Sequence, residues 1–309
     1  MTPGRIIYLL WYRPLATLAR SRREGGPINQ WRNEQGRRAM VAAAAKLHPS
    51  SIAAGSAPEV WFLTGRKYWY QTAFCLYSLQ KVSANAIRPV FVDDGTFDHQ
   101  LRTECMRVFS NARIVDSNEI NQTLDQSLPA SRFPSLRAQR LTYPHLRKLT
   151  DIHAGRHGWR LVFDSDMLFF RSPDILWNWL RMPDRPVHMQ DIQDAYGYPG
   201  ETLSTLAGRP IHSRINVGVC GLRSDAIDWE RLEYWCTQLL AKHGTSYYLE
   251  QALVALLIAG HDTIRLDQNE YRVMPDSEEC RRPTAILHHY VDLSKRGYFR
   301  HAWKHSIPA

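Results

Sequence analysis

Two aspartates between two apolar runs constrain the fold of the chain more than any other feature. Residues 161–170 read Leu-Val-Phe-Asp-Ser-Asp-Met-Leu-Phe-Phe, so three apolar residues precede Asp164 and four follow Asp166. An apolar run without a helical period predicts a buried strand. Residues two apart in an extended chain point to the same side, so we expect both carboxylates together at the edge of a core.

The chemistry of this acidic pair is open at this point. Two hard oxygen ligands suit Mg²⁺ or Mn²⁺, with a substrate phosphate completing the coordination. The alternative is a solvated turn between two short apolar segments, since an Asp-x-Asp triplet occurs by chance about once in a chain of this length. The apolar residues on both sides favour the first interpretation.

The charge of the chain is concentrated near its start. Residues 1–60 carry nine Lys and Arg against three Glu, two thirds of the net charge of +9. We therefore divide the chain into a basic appendage and linker (1–57) and a single globular domain (58–309). A basic arm predicts an acidic partner such as an anionic membrane surface, and a solvated leader is the alternative. The apolar stretch from Ile6 to Leu18 is too short to span a bilayer, but it suits interfacial contact.

The five cysteines show no CxxC spacing, so they indicate neither a zinc site nor a disulfide framework. This favours a reducing compartment. The expected location is the cytoplasm, with peripheral contact to the inner face of a membrane through the basic N-terminus.

Strand and helix patterns alternate in the first half of the proposed domain. Strands are predicted at Val60–Thr64, Pro89–Val92 and Arg113–Val115, with helices over 66–81 and 98–109 between them. This alternation predicts an α/β fold with a mainly parallel, doubly wound sheet and helices on both faces. Ligands of such sheets bind outside the carboxyl ends of the strands.

Three polar segments fall at such strand ends. They are Thr64-Gly65, Asp93-Asp94-Gly95 and the segment from Asp164 to Asp166. Asp94 is therefore a candidate for ligand binding. Further along, the pattern predicts a helix with Ser172 as its cap. It also predicts helices over 133–154, 225–243 and 247–258, the first of them broken near Pro144. Residues 191–213 are predicted to form a surface excursion or a substrate loop.

Two later segments also indicate a site. Residues 215–222 read as a strand with internal glycines, which marks the close approach of another group. His288 and His289 end a further strand and precede Lys295. Two histidines followed by a lysine suit a metal ligand and a phosphate contact, while a structural role is the alternative.

Together, residues 59–304 resemble the GT-A-fold nucleotide-sugar glycosyltransferases, in the retaining family that includes glycogenin, galactinol synthase and bacterial lipopolysaccharide galactosyl- and glucosyltransferases. The matching segments occur in the family's order: Phe62 to Tyr68 with Ser78-Leu79, Asp164-Ser165-Asp166, Asn216-Val217-Gly218, Glu250-Gln251, and His289-Tyr290 through Lys295. Glu250 replaces the family's Asp, and Asp292 stands where the family has Gly.

The resemblance implies a metal-dependent glycosyltransferase that moves a sugar from a UDP-sugar, with retention, to a glycan, lipid-linked or small-molecule acceptor. It implies Mn²⁺ or Mg²⁺ as cofactor. The implied metal ligands are Asp164, Asp166 and His289, with His288 as the alternative; the implied donor-binding residues are Thr64, Tyr68, Asp94, Asp164, Gly218 and Lys295; the implied catalytic residues are Gln251, Glu250 and Asn216.

Three other functions compete with this one. A nucleic-acid-binding protein is suggested by the pI of 9.4, but most of the excess charge lies in the appendage and no recognition motif is present, so we expect no nucleic acid. A phosphohydrolase would use Asp93 or Asp164 as nucleophile, but Asp93 and Asp94 lack the intervening residue that such motifs have. A non-catalytic nucleotide-sugar-binding protein is the third alternative.

Overall fold

The computed structural model of the chain describes residues 25–49, 57–83 and 85–307. The predicted interfacial stretch from Ile6 to Leu18 lies outside these ranges. No helix in the described ranges has both the length and the apolar character needed to cross a membrane.

Ten strands in these ranges form two sheets. They are β1 (Glu59–Thr64), β2 (Arg88–Asp93), β3 (Arg113–Val115), β4 (Trp159–Phe163), β5 (Met167–Phe169), β6 (Val187–Gln190), β7 (Ile215–Arg223), β8 (Ile264–Arg265), β9 (Tyr271–Val273) and β10 (Leu287–His289).

The main sheet has the strand order β3-β2-β1-β4-β7-β6-β8. β1 pairs in parallel with β2 and β4, and β2 pairs in parallel with β3. β7 is antiparallel to both of its neighbours, β4 and β6, while β6 and β8 are parallel. The predicted mainly parallel α/β sheet is confirmed, with β7 as the reversed strand.

The second sheet has the order β5-β10-β9. β10 is antiparallel to β5, with His289 opposite Met167, and parallel to β9. The apolar stretch over 161–170 is therefore not one strand. The chain leaves the main sheet at Phe163, passes through the acidic turn, and enters the second sheet at Met167.

Twelve α-helices connect these strands in the described ranges. They are α1 (Pro27–Ala44), α2 (Trp69–Val82), α3 (His99–Val108), α4 (Ser117–Ser127), α5 (Pro134–Thr142), α6 (Arg147–His153), α7 (Asp174–Arg181), α8 (Gly200–Ala207), α9 (Trp229–His243), α10 (Leu249–Leu257), α11 (Ser277–Arg281) and α12 (Lys295–Arg300).

The helix ends follow local chemistry in most places. Asp98 caps α3, because its carboxylate accepts a hydrogen bond from the Leu101 amide at 2.8 Å. Pro144 breaks the predicted helix over 133–154 into α5, a 3₁₀ turn and α6. The predicted cap at Ser172 is wrong, because its hydroxyl donates to the Asp174 side chain rather than accepting from the helix backbone.

The core has one apolar cluster on each face of the main sheet. Alternation along β1 sends Val60 and Phe62 into the first cluster and Trp61 into the second. α2 and α3 pack on the first face, whereas α4, α6, α9 and α10 pack on the second. Helices therefore cover both faces, as predicted.

Part of the predicted appendage packs against the body. Met40 and Ala44 of α1 are buried in the first cluster. The Arg300 guanidinium of α12 donates to the Asn29 carbonyl of α1 at 2.8 Å. The division of the chain at residues 57 and 58 stays a prediction. All five cysteines are buried and free, in agreement with the absence of a disulfide framework.

Candidate functional site

The acidic turn between β4 and β5 is held by backbone hydrogen bonds from both sides. The Asp164 amide donates to the Gly218 carbonyl of β7 at 2.7 Å. The Asp166 carbonyl accepts from the Tyr290 amide, just after β10, at 2.8 Å. The side chains of Asp164 and Asp166 keep 24% and 17% of their surface exposed. The turn thus presents two carboxylates at the junction of the two sheets.

His289 completes a three-residue group that has the geometry of a metal site. One ligand atom from each of Asp164, Asp166 and His289 lies within 4.8 Å of the others. The His289 Nε2 atom is 3.5 Å from an Asp164 oxygen and 3.4 Å from an Asp166 oxygen. Two carboxylates and an imidazole are a donor set for Mn²⁺ and also accommodate Mg²⁺. The residues present therefore fit a divalent cation.

The imidazole of His289 is oriented by a chain of hydrogen bonds. The Asp191 carboxylate can only accept hydrogen bonds, so it binds the side-chain nitrogen of Asn216, 3.0 Å away. The side-chain oxygen of Asn216 is thereby turned toward His289. That oxygen lies 3.1 Å from the His289 Nδ1 atom, which therefore carries the proton. The His289 Nε2 atom faces the carboxylates and is the ring nitrogen placed to bind a metal ion. Asn216 acts here through His289.

Gly218 allows this histidine to approach the main sheet. A β-carbon on Gly218 would lie 2.5 Å from the His289 Nδ1 atom and 2.6 Å from Cε1. Any larger residue would displace the ring. The close approach predicted from this glycine is thus made by a side chain of the site itself.

Lys295, the first residue of α12, adds a cation beside the acidic turn. Its Nζ atom is 3.0 Å from Asp166 Oδ2. Burial opposes the ionisation of Asp166, but Lys295 and His289 outweigh it and lower the pKa of that carboxyl. Asp166 in turn raises the pKa of Lys295. Both groups are therefore charged at neutral pH.

Sequence reasoning missed a buried ion-pair network on the other side of the turn. The Lys148 Nζ atom lies 2.7 Å from Asp164 Oδ1 and 3.2 Å from Glu250 Oε2. Burial raises the pKa of Glu250 to about 7, more than Lys148 lowers it. The pKa of Lys148 is raised, because the two carboxylates outweigh its own burial. The one available signal was the cluster of basic residues in the helix before β4.

Gln251 and the segment over 191–213 meet at the site. The Gln251 side-chain nitrogen donates to the Ala195 carbonyl at 2.7 Å, and Asp191 belongs to the same segment. Gln251 and Glu250 are both buried in the first turn of α10. The predicted excursion is therefore in contact with the candidate catalytic residues, and it contains the unpredicted helix α8.

His288 lies outside this arrangement. Its Nδ1 atom is 2.8 Å from the Tyr290 hydroxyl and its Nε2 atom is 2.9 Å from the Glu279 carboxylate. Adjacent residues of a strand point to opposite faces, so His288 faces away from the acidic turn that His289 contacts. The alternative assignment of His288 as a metal ligand is corrected accordingly.

The predicted donor-binding residues Thr64, Tyr68 and Asp94 differ in their exposure and contacts. The Thr64 hydroxyl is buried and lies 2.7 Å from the Thr72 hydroxyl, which in turn lies 2.8 Å from that of Ser165. The Thr64 hydroxyl therefore supports the acidic turn through Thr72. The Tyr68 ring is exposed, with the Lys67 ammonium 4.9 Å from its centroid. Asp94 accepts a hydrogen bond from the Thr96 amide of its own turn at 3.0 Å.

Three rings form a cluster at the starts of α6 and α10, the helices that carry Lys148 and Glu250. The His145 ring lies 5.3 Å from that of Tyr143 and 5.2 Å from that of Tyr247. Tyr143 donates a hydrogen bond to the Tyr247 carbonyl. The Tyr247 side chain remains largely exposed. Sequence reasoning did not predict this ring cluster.

Solved glycosyltransferase structures share this architecture. Mouse xyloside xylosyltransferase 1 in its apo form matches with a TM-score of 0.50 at 13% identity, over 76% of this chain and 97% of that one. The galactosyltransferase LgtC, in complex with donor and acceptor sugar analogs, matches with a TM-score of 0.51 at 17% identity, over 76% and 87%. The bifunctional glycosyltransferase WbbM matches with a TM-score of 0.50 at 11% identity, over 79% and 47%.

These matches establish the class of fold. No family model matches the sequence, and no curated protein matches it either. The chain has the fold of these glycosyltransferases, and the GT-A prediction is confirmed at the level of fold.

Proposed function

We propose that this chain is a metal-dependent glycosyltransferase that transfers a sugar from a UDP-sugar, with retention, to a glycan, lipid-linked or small-molecule acceptor. The observation that carries the proposal is the group of Asp164, Asp166 and His289 beside Lys295. It lies where β4 ends, at the sheet edge where ligands of such folds bind. The likeness of fold to solved glycosyltransferases supports the proposal by analogy.

The leaving group of such a reaction is a nucleoside diphosphate, so its negative charge must be stabilised. Asp164, Asp166 and His289 would hold Mn²⁺ or Mg²⁺, which as a Lewis acid supplies this stabilisation when bound. Lys295 contributes a second positive charge next to Asp166. The exposed Tyr68 ring, Asp94 and the Thr64 backbone are our assignments for the nucleoside.

Two residues of α10 are our candidates for the reacting sugar. The Gln251 side-chain nitrogen donates to the Ala195 carbonyl, so the Gln251 Oε1 atom is the group to stabilise positive charge that develops on the sugar ring. Glu250, paired with Lys148, supplies a carboxylate whose ionisation falls near neutral pH. We assign no protein nucleophile. Asn216 and Gly218 position His289 and shape the pocket.

The ring cluster of Tyr143, His145 and Tyr247 is our assignment for the acceptor side. Aromatic faces with polar edges suit a sugar ring, which has apolar C–H faces and peripheral hydroxyls. The cluster adjoins the helices that carry Lys148 and Glu250, so an acceptor resting on it lies near the donor site. The expected location, cytoplasmic with peripheral membrane contact, stays a prediction that the buried free thiols support.

The direct experiment compares the wild-type chain with Asp166→Ala. Thermal unfolding is measured with UDP-, GDP- and other nucleotide sugars, with and without Mn²⁺, and nucleotide release is measured in parallel. We expect Asp166→Ala to keep its fold and lose both turnover and Mn²⁺-dependent nucleotide binding. Asp125→Ala is the matched control, because Asp125 is a largely exposed aspartate of α4 whose partner is Arg137.

Unchanged transfer by Asp166→Ala contradicts the proposal. Nucleotide-sugar binding by the wild type without turnover on any acceptor tested would instead assign the chain to the non-catalytic binding proteins.

A further inference from the structure

The outer face of α1 combines apolar and basic side chains. Ile28 and Trp31 are 67% and 62% exposed and lie one helical turn apart. A single exposed apolar residue is ordinary, but two that share a face with arginines form an amphipathic surface. We define the α1 outer face by its exposed residues at helical spacing, Ile28, Trp31, Arg32, Gln35, Arg38 and Ala39.

No residue of this outer face is acidic. The single acid of α1 is Glu34, whose carboxylate is 2.7 Å from the Arg37 guanidinium and 2.9 Å from that of Arg38. Positive charge on this side of the molecule is therefore in excess.

Cations of α12 extend the positive surface beyond α1. Burial lowers the pKa of Arg300, and the nearby guanidinium groups of Arg32 and Arg296 lower it further. Burial likewise lowers the pKa of His301, with Arg281 and Lys304 acting in the same direction. These shifts show that several cations act on one region of the surface.

Helix α1 is packed firmly against the body of the protein. A β-carbon on Gly36 would lie 2.3 Å from the Phe299 carbonyl oxygen of α12, so the two helices are in close contact. Met40 and Ala44 anchor the opposite face of α1 in the core. α12 begins with Lys295 of the candidate site. Because α1 packs on α12, a surface bound by α1 lies next to the helix that adjoins the acidic turn.

We propose that the α1 outer face is a docking surface for an anionic phospholipid membrane. Ile28 and Trp31 would enter the interface between head groups and acyl chains, and Arg32 with Arg296 and Arg300 of α12 would contact lipid phosphates. The preceding residues 1–24 have a matching composition, with five Arg, one Glu and the apolar stretch that begins at Ile6. Single-stranded nucleic acid would use the cations and could stack a base on Trp31, but it gives no role to Ile28. The proposal does not depend on the transferase activity.

Cosedimentation of the full chain with vesicles tests this surface. The vesicles are phosphatidylcholine alone, or phosphatidylcholine with about 30% phosphatidylglycerol, at low and high salt. We expect binding that requires phosphatidylglycerol and weakens with salt. Ile28→Ser with Trp31→Ser should weaken it about tenfold, since two interfacial side chains are lost. Arg32→Glu should weaken it about 25-fold, since each unit of charge near an anionic surface contributes roughly fivefold and the reversal changes the charge by two.

The matched control is Met182→Ser with Arg181→Glu, which makes the same kind of change at an exposed Arg–Met pair at the end of α7. It should bind vesicles as the wild type does. All variants should unfold thermally near the wild-type temperature, because the substituted side chains are exposed. The proposal is overturned if both α1 variants bind anionic vesicles as tightly as the wild type, which would assign binding to residues 1–24. It is also overturned if the wild type binds single-stranded oligonucleotides but no vesicles.

Discussion

Asp93 at the end of β2 and the two aspartates of the turn after β4 use their carboxylates in opposite ways. The turn after β2 contains Asp93 and Asp94, and the turn after β4 contains Asp164 and Asp166. Asp93 Oδ1 accepts from the amides of its own turn at 2.7, 2.9 and 3.0 Å, and Asp93 Oδ2 accepts from the Ser117 hydroxyl at 2.5 Å. Both oxygens of Asp93 are therefore used to build the turn, which argues against a phosphohydrolase nucleophile there.

The carboxylates after β4 are surrounded instead by charged side chains from distant elements. Lys148 comes from α6, His289 from β10 and Lys295 from α12. Such partners compensate the charge of half-buried carboxylates, at a cost in desolvation that a folding role does not require. Asp93 is thus a structural acid, whereas the partners of Asp164 and Asp166 come from distant elements, as expected of acids that bind a ligand.

The largest expected difference between the two turns is in catalysis. Asp166→Asn should lower turnover about a thousandfold, because a carboxylate that neutralises and positions the leaving group is lost. Asp93→Asn should leave turnover within a few-fold of the wild type and lower the free energy of unfolding by about 2 kcal/mol. Steady-state kinetics and denaturant unfolding of both variants measure this. Equal losses of activity would remove the distinction between the turns.

The adjacent histidines offer the same contrast within one strand. His289→Ala should lower metal-dependent turnover about a hundredfold, because a metal ligand is removed. His288→Ala should instead lower the free energy of unfolding by about 2 kcal/mol, because Glu279 and Tyr290 lose a buried partner. Turnover as a function of Mn²⁺ concentration separates the two. A weakened Mn²⁺ response in His288→Ala alone would reverse our assignment.

The network around Lys148 gives a pH dependence. Burial raises the pKa of Glu250 to about 7, so the carboxyl is neutral below that pH and ionised above it. If the ionised form stabilises the reacting sugar, kcat/KM should fall about tenfold per pH unit below pH 7 and level off above it. Glu250→Gln should lose this limb of the profile. A limb that persists in Glu250→Gln would place the ionisation on another group.

The smallest expected effect concerns the ring cluster. Tyr247→Ala should raise the KM for the acceptor about fivefold and leave the KM for the donor unchanged, because one stacking face is lost. Tyr234→Ala, at an exposed tyrosine of α9, is the matched control. A change in donor KM alone would move Tyr247 to the donor side of the site.

Local chemistry made much of the fold predictable. The helix predicted over 98–109 is α3, with Asp98 as its cap. The predicted break lies at Pro144, because proline has no amide hydrogen to donate within a helix. The acidic pair was found because charges between apolar runs need partners. Periodicity did not show that β4 and β5 belong to different sheets, since a buried run looks the same in both.

The partners of the acidic pair were harder to predict. Lys148 and Asp191 are distant in sequence from the residues they hold, and neither lies in a motif. The choice between His288 and His289 depended on the register of β10 against β5, which two adjacent histidines do not determine.

Calorimetric titration of UDP into the wild-type chain, with and without Mn²⁺, tests the central claim most directly. We expect binding that requires Mn²⁺, is retained in Asp93→Asn and is lost in Asp166→Asn. Equally tight UDP binding without the metal, or unaltered Mn²⁺-dependent binding by Asp166→Asn, would contradict the account.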